Sequence, residues 1–280
     1  MPDEPSVTVI VLNWNGRELL KDCLGSLEKV EYENFNVLVV DNGSMDDSVE
    51  YVKLSFPNFD ILELDNNLGF AAGNNLGFDV AKNKNAEFVI FLNNDTIVDK
   101  NFIKPLLAPF EDISVGQTVP KILYADDEEK IWYAGGIVNL WTGNIFHQGI
   151  REYDSERFNQ SKITDYATGC CFCMKVSDYE GLNGFDESFS MYGEDVDLSL
   201  RIRKSGKNIF FVPESKIYHK VSASIGGAFS LKKMKRKLGG LFRIYNKHAT
   251  LVQWMLVILF SPYLVLTYFI KYFRLRFFTR

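Results

Sequence analysis

No acidic residue follows Glu214 in this 280-residue chain. The net charge of −5 therefore hides an asymmetry: the first 214 residues carry −18 and the last 66 carry +13. Cysteine is scarce, with four residues, and Cys170, Cys171 and Cys173 sit too close together for the paired C-x-x-C spacing of a zinc site. Together with Cys23 they read as small buried residues of a reduced compartment. The N-terminus lacks a charged segment followed by an apolar one, so no secretory signal is expected and the main body of the chain is expected in the cytoplasm. Low-complexity segments and internal repeats are missing too. Neither G-x-G-x-x-G nor a P-loop occurs, which removes the two commonest glycine signatures for phosphate.

Present instead is a globular composition, 46% hydrophobic and 24% charged, enough for one large domain or two small ones. The most informative stretch is Phe88-Val89-Ile90-Phe91-Leu92, an unbroken apolar run that stops at Asn93-Asn94-Asp95. Such a run suits a strand covered on both faces, in the middle of a parallel sheet. Ligands in open α/β sheets sit at the carboxyl ends of strands. Asp95 is thus delivered where a ligand would bind, and it reads as a ligand of a divalent cation carrying a diphosphate. The alternative is that Asn-Asp-Thr merely caps the next helix or makes a turn.

Three earlier stretches repeat the pattern. Val7 to Leu12 ends at Asn13-Trp14-Asn15-Gly16, Asn36 to Val40 ends at Asp41-Asn42-Gly43-Ser44, and Asp60 to Leu64 ends near Asp65-Asn66-Asn67. Between them, Arg17–Glu28, Asp46–Phe56 and a segment reaching about Lys82 read as helices, and Asn101–Phe110 as another. Strands alternating with helices predict a parallel sheet. Four strands ending in Asn or Asp predict a row of polar groups along one edge, where a nucleotide would lie. Asp41 is either an Asx-turn former or an acceptor for nucleoside hydroxyls or ring N–H. Gly69, Gly73 and Gly77 either let the backbone approach a ligand or serve helix packing.

The strings Leu12-Asn13-Trp14-Asn15-Gly16, Val40-Asp41-Asn42-Gly43-Ser44, Asn67-Leu68-Gly69-Phe70 with Gly73-Asn74-Asn75, and Leu92-Asn93-Asn94-Asp95-Thr96 resemble, in order and spacing, family 2 glycosyltransferases of the GT-A fold. The likeness is closest to the rhamnosyltransferase-like and galactofuranosyltransferase-like branch. It implies a nucleotide-sugar donor touching Asn13, Asn15, Asp41, Asn67, Gly73, Asn74, Asn93 and Asn94, with Asn93-Asn94-Asp95 in the D-x-D position. Asn93 stands where the plain motif has Asp, and an amide oxygen is a poorer ligand for a hard cation, so Asp95 carries more of the metal binding.

Further on, Tyr133–Gly136 through Thr142–Asn144 reads as hairpins, with Trp132, Trp141 and Phe146 either stacking on a sugar or, the reading preferred, packing in the core. Asp165 to Met174 reads as a strand after a glycine turn, and the resemblance places Gly169 facing the donor sugar. In Gly193-Glu194-Asp195-Val196-Asp197-Leu198, the acids either stabilise a helix start or take a proton from an acceptor hydroxyl. The resemblance makes Asp195 the catalytic base, with Glu194 orienting the acceptor. Ile209–Pro213 reads as a strand, followed by Lys216-Ile217-Tyr218-His219; the resemblance makes His219 a second ligand, beside Asp95, of a Mg²⁺ or Mn²⁺ ion. Ser222, Ser224, Gly226 and Gly227 read as a loop that could close over the donor.

A boundary is expected near 225/226: a glycosyltransferase domain over 1–225 and a basic, apolar helical segment over 226–280. Leu251 to Ile270 is uncharged for twenty residues, long enough at ~1.5 Å per residue to cross a ~30 Å hydrocarbon core. Lysines and arginines on both sides favour helices lying on the cytoplasmic face of the membrane, against the inner leaflet. A true span and a buried or homodimer-forming helix are the alternatives. Because the basic residues border a long apolar stretch, no nucleic-acid partner is expected. The expected activity is inverting transfer of a sugar from a UDP- or dTDP-sugar to a glycan or lipid-linked acceptor in cell-surface polysaccharide synthesis. A sugar nucleotidyltransferase and a non-catalytic membrane scaffold retaining the fold are the rival readings.

Overall fold

The computed structural model describes residues 4–189, 191–221 and 231–260. The first half alternates as expected: β1 (Val7–Asn13), α1 (Arg17–Leu27), β2 (Phe35–Asp41), α2 (Ser48–Ser55), β3 (Asp60–Glu63), α3 (Phe70–Asn83) and β4 (Phe88–Asn93). β5 (Thr96–Val98) follows at once, then α4 (Ile103–Leu107) with a 3₁₀ turn at Ala108–Glu111, β6 (Val115–Tyr124) and β7 (Asp127–Tyr133). A hairpin of β8 (Gly136–Asn139) and β9 (Asn144–His147) leads to β10 (Lys162–Thr164), β11 (Cys171–Lys175) and α5 (Val176–Gly181). α6 (Glu194–Lys204), β12 (Asn208–His219) and α7 (Leu231–His248) complete the named elements, and residues 251–260 are helical.

Ten of the twelve named strands form one sheet in the order β10-β12-β6-β11-β4-β1-β2-β3, with β5 added on β12 and β7 on β6; β8 and β9 pair only with each other. β3, β2, β1 and β4 pair in parallel; β11 runs antiparallel to β4 and β6, while β12 and β6 are parallel. Chain order reverses at β1, whose two neighbours are β2 and β4. That reversal opens a crevice at the carboxyl ends of β1 and β4, the usual place for a ligand in such sheets.

Burial explains the order. Val9, Ile10 and Val11 of β1 and Val89, Ile90, Phe91 and Leu92 of β4 are each at most 2% exposed. Both strands are sandwiched between helices, so an unbroken apolar run is what they need. Leu20, Cys23, Leu24 and Leu27 of α1 cover one face. α3 approaches unusually closely: a Cβ at Gly77 would lie 2.8 Å from Ile10 and Val40, and one at Gly73 would lie 2.6 Å from Leu12. Those glycines therefore set the helix–sheet distance. Phe70, Phe91, Phe172, Tyr179 and Phe185 join in one aromatic cluster beneath the crevice.

Several expectations need correction. The strand expected to stop at Pro213 is one twelve-residue element, β12, whose pairing with β6 is irregular between Val212 and Lys216. Proline lacks a ladder donor and is accommodated at such an irregularity. Trp141 and Phe146 are 56% and 50% exposed on the β8–β9 hairpin, so they do not pack in the core. Asn93-Asn94-Asp95 caps no helix; it is a turn running into β5. Within the segment expected after 225/226, α7 buries Ile244 and Tyr245. Among the described residues no helix is long and apolar enough to cross a membrane. The expected span over 251–270 lies only partly within them, and the loop at Ser222–Gly227 lies outside.

Candidate active site

Three strand ends are tied together by amides. Asn13, at the end of β1, donates through Nδ2 to Asp41 Oδ1 (3.1 Å) and to Ser44 Oγ (3.3 Å), and its Oδ1 accepts from Asn94 Nδ2 (2.8 Å). Asp41 also accepts the Ser44 N–H at 2.9 Å, the Asx-turn bond its position suggested. Asn15, in the left-handed region at φ 49°, accepts the Met45 N–H at 2.7 Å. Each of these polar side chains is therefore fixed before any ligand arrives.

Asn42 was not singled out by sequence reasoning, yet it holds this edge. It is 2% exposed; its Nδ2 donates to Asn67 Oδ1 (3.2 Å) and to the Gly69 carbonyl (3.1 Å), and its Oδ1 accepts the Leu68 N–H (2.9 Å). The signal was the same one used for Asp41, a polar residue at the end of an apolar strand. Gly73 and Asn74 make contacts within the fold, the helix-packing alternative given for the glycine. Gly73 packs on Leu12 and Asn42, and Asn74 is buried with its Nδ2 on the Phe70 carbonyl (2.9 Å). Both belong to the seam between α3 and the sheet.

Beyond β4 the turn sets Asp95 beside His219. β5 and β12 pair antiparallel with Thr96 opposite His219, and the Lys220 N–H donates to the Asp95 carbonyl at 2.8 Å. Asp95 Oδ1 and His219 Nε2 are 3.2 Å apart, with the residues 4% and 8% exposed. Two adjacent ligands of an octahedral ion with ~2.1 Å bonds would be about 3.0 Å apart, so this pair fits one such ion. His219 Nδ1 is buried without a hydrogen-bond partner among the described residues. The Trp132 ring meets the His219 ring edge-on at 4.4 Å and the His147 ring edge-on at 4.5 Å. Burial lowers His147 to about 4, so it stays neutral beside Trp132.

The carboxylates of α6 stand across a short bridge. Gly193 begins the helix at φ 104°, a conformation that favours glycine. Asp195, half-buried, accepts the Gly169 N–H on Oδ2 and the Val196 N–H on Oδ1, both at 2.9 Å. Residue 170, next to Gly169, accepts the Asn93 N–H through its carbonyl at 2.9 Å. The Gly169–Cys170 turn thus links the Asn93–Asp95 turn to Asp195. Glu194 is 7% exposed and its Oε2 has no partner among the described residues. Burial pushes both carboxyls up, and Glu194, beside the Asp195 charge, reaches about 8. The two donated N–H groups oppose that rise at Asp195, while Glu194 holds a proton at neutral pH. A charged carboxylate at the rim can accept a proton from a bound hydroxyl.

All four cysteines are buried and unpaired, and burial raises their thiols, Cys23 to about 12. They are core residues, not reactive ones.

The chain is similar to several known proteins. The chain is 28% identical over 229 residues to the O-antigen biosynthesis protein RfbC of Myxococcus xanthus, covering 79% of this chain and 18% of that protein. It is 25% identical over 236 residues to an N-acetylglucosaminyl-diphospho-decaprenol L-rhamnosyltransferase of Mycobacterium tuberculosis, covering 78% and 77%. To rhamnosyltransferase WbbL of Escherichia coli it is 22% identical over 231 residues, covering 76% and 83%. The chain spans 18%, 26% and 63% of the lengths of RfbC, of a protein from Sinorhizobium fredii and of a Haloferax volcanii hexosyltransferase. Its fold is shared with GalNAc-T7, whose structure holds UDP, GalNAc and Mn²⁺ (TM-score 0.69, 18% identity, 88% of this chain and 48% of that one), and with Staphylococcus aureus TarS 1–349 (TM-score 0.57, 17% identity, 86% and 72%). A model described as the N-terminal domain of galactosyltransferase matches residues 155–223. The model of glycosyl transferase family 2 matches residues 8–182, well over half of the chain, and the chain belongs to that family.

Proposed function

We propose that the chain is an inverting glycosyltransferase that moves a sugar from a UDP- or dTDP-sugar to a hydroxyl of a glycan or lipid-linked acceptor. The observation that carries this reading is the bridge just described: the Cys170 carbonyl accepts from Asn93, which leads into the turn that carries Asp95 beside His219, and the adjoining Gly169 N–H donates to Asp195. Asp95 and His219 would hold a Mg²⁺ or Mn²⁺ ion, which supplies positive charge against the donor diphosphate. Asn13, Asn15, Asp41 and Asn67 frame the nucleoside end, and Asn93, Asn94 and Gly169 line the way to the sugar. Asp195 takes the proton of the acceptor hydroxyl as its oxygen bonds to the anomeric carbon from the face opposite the leaving group. The bond to the diphosphate breaks, nucleoside diphosphate leaves, and the anomeric configuration is inverted.

The acceptor class draws on the relatives, which are named for O-antigen synthesis and for a decaprenol-linked acceptor. An exposed apolar surface supports the same class. Residues 251–260 expose Leu251, Val252, Met255, Ile258, Leu259 and Phe260 next to the basic helix α7. Such a surface suits the anionic inner leaflet, placing the enzyme on the cytoplasmic face of the membrane. A second copy of the chain on that face would instead give a concentration-dependent dimer without lipid.

A thermal-shift screen of UDP-, GDP- and dTDP-sugars with Mn²⁺ tests the assignment. At 100 times Kd a donor adds about 2.7 kcal/mol, a rise of several degrees. Stabilisation that needs Mn²⁺ and disappears in Asp95→Ala supports it; no stabilisation by any donor favours a non-catalytic scaffold. Release of pyrophosphate in place of nucleoside diphosphate favours a nucleotidyltransferase.

A further inference from the structure

The helix that follows the catalytic crevice in sequence returns to it. α7 meets the first turn of α6 along one stripe spaced by four residues: Gly240, Ile244 and His248. Gly240 packs so tightly that a Cβ there would overlap the carbonyl oxygen of Tyr192. A Cβ on Gly193 would lie 3.2 Å from Ile244 Cδ1. His248 Nε2 lies 2.7 Å from Asp197 Oδ1, and Lys247 Nζ lies 3.2 Å from the same oxygen. Asp197 is fully buried, and its other oxygen accepts from Arg201 Nε at 2.8 Å. Lys237 sits over the Tyr192 ring at 5.4 Å, and Arg236 Nη1 donates to Met191 Sδ at 3.3 Å.

These contacts surround the two residues, Tyr192 and Gly193, that adopt left-handed backbone before α6 at φ 71° and 104°. Left-handed geometry is costly at a tyrosine and persists only where neighbours over-determine it. The next two residues are Glu194 and Asp195. We propose that α7 is a positioning element for the catalytic base: Gly240 seats it on the Tyr192–Gly193 turn, and His248 on Asp197 locks it there. Neither residue touches a reacting atom; they act by fixing the start of α6, and so the distance between Asp195 and the Gly169–Cys170 bridge. The assignment of Asp195 as base is taken from the proposed function; the placement of α6 by α7 is independent of it.

The Gly169 amide is a direct reporter, since it is protected only while Asp195 Oδ2 stands 2.9 Å away. Amide exchange at Gly169, Val196 and Asp197 is followed by NMR in the full chain, and donor turnover alongside it. Gly240→Ala and His248→Ala are each expected to speed exchange at these amides at least tenfold and to lower kcat at least tenfold, with donor KM changed less than threefold. His248→Gln, which can still donate to Asp197, is expected to recover most of both. Gly239→Ala is the control, because a Cβ there would meet only the flexible end of Arg243 at 3.5 Å; it is expected to behave as wild type. Should Gly240→Ala fail to fold, His248→Ala decides alone. Unchanged exchange at Gly169 and unchanged kcat in a folded His248→Ala overturn the proposal. Faster exchange in a chain whose Asp195→Asn variant keeps full turnover leaves α7 as a positioning element and removes Asp195 as the base.

Discussion

The Gly169 N–H points at Asp195 Oδ2 from 2.9 Å, joining the turn before β11 to the first residues of α6. With the Val196 N–H on the other oxygen, the carboxylate is held in one orientation, and both bonds oppose the rise that burial imposes on it. Asp195→Asn preserves shape but removes the basic oxygen. It is expected to lower kcat by ~10²–10⁴-fold with donor KM changed less than threefold. Steady-state kinetics with saturating acceptor checks this, and near wild-type turnover would count against a proton-accepting role.

Glu194 makes a pH prediction. Its carboxyl rises from 4.5 to about 8 through burial and the adjacent Asp195 charge. Between those values the unfolded chain releases a proton that the folded chain retains, so stability falls as pH rises through that window. Glu194→Gln abolishes the proton. The variant should nearly match wild type in unfolding free energy at pH 4.5 and exceed it at pH 8.5 by ~4 kcal/mol. Urea unfolding at the two pH values reads the difference; equal stabilities at pH 8.5 would show that the side chain is not held protonated.

Gly77→Ala tests the seam between α3 and the sheet. The added methyl would meet Ile10 and Val40 at 2.8 Å. Overpacking costs ~1–3 kcal/mol, and the better helix propensity of alanine returns up to ~1. A net loss of ~1–2 kcal/mol is expected in urea, with donor KM unchanged. A large KM change would move this glycine into the donor site.

The exposed apolar face predicts lipid binding. Leu251, Met255 and Leu259 are 76%, 63% and 70% exposed, so replacing all three with Ser should leave the melting temperature within about 2 °C. The same change should cut co-sedimentation with phosphatidylserine-containing vesicles at least tenfold, and 0.5 M salt should weaken wild-type binding. Equal sedimentation of variant and wild type would sink the docking proposal.

Much of this was legible in the chain. Long apolar runs ending in Asn or Asp gave the parallel strands, because burial on both faces forbids polar interruption until the crevice is reached. What escaped depends on partners remote in sequence. β5 has three residues and no readable period; it is a strand only because β12 lies beside it. Pro213 marked an end by local rules, but the irregular pairing with β6 carries β12 past it. Trp141 and Phe146 were assigned to the core on hydrophobicity alone, which cannot show that a two-stranded hairpin leaves them uncovered. The role of α7 depends on a glycine whose significance appears only once Tyr192 is placed against it.

The register of β5 on β12 carries a further consequence. Side chains along a strand alternate between faces, so one extra residue anywhere in Thr96–Val98 would turn the partner of His219 to the opposite side of the sheet. The Asp95–His219 pair thus depends on this one register: lengthening loops elsewhere leaves it in place, whereas a single-residue shift at this ladder would separate the two side chains.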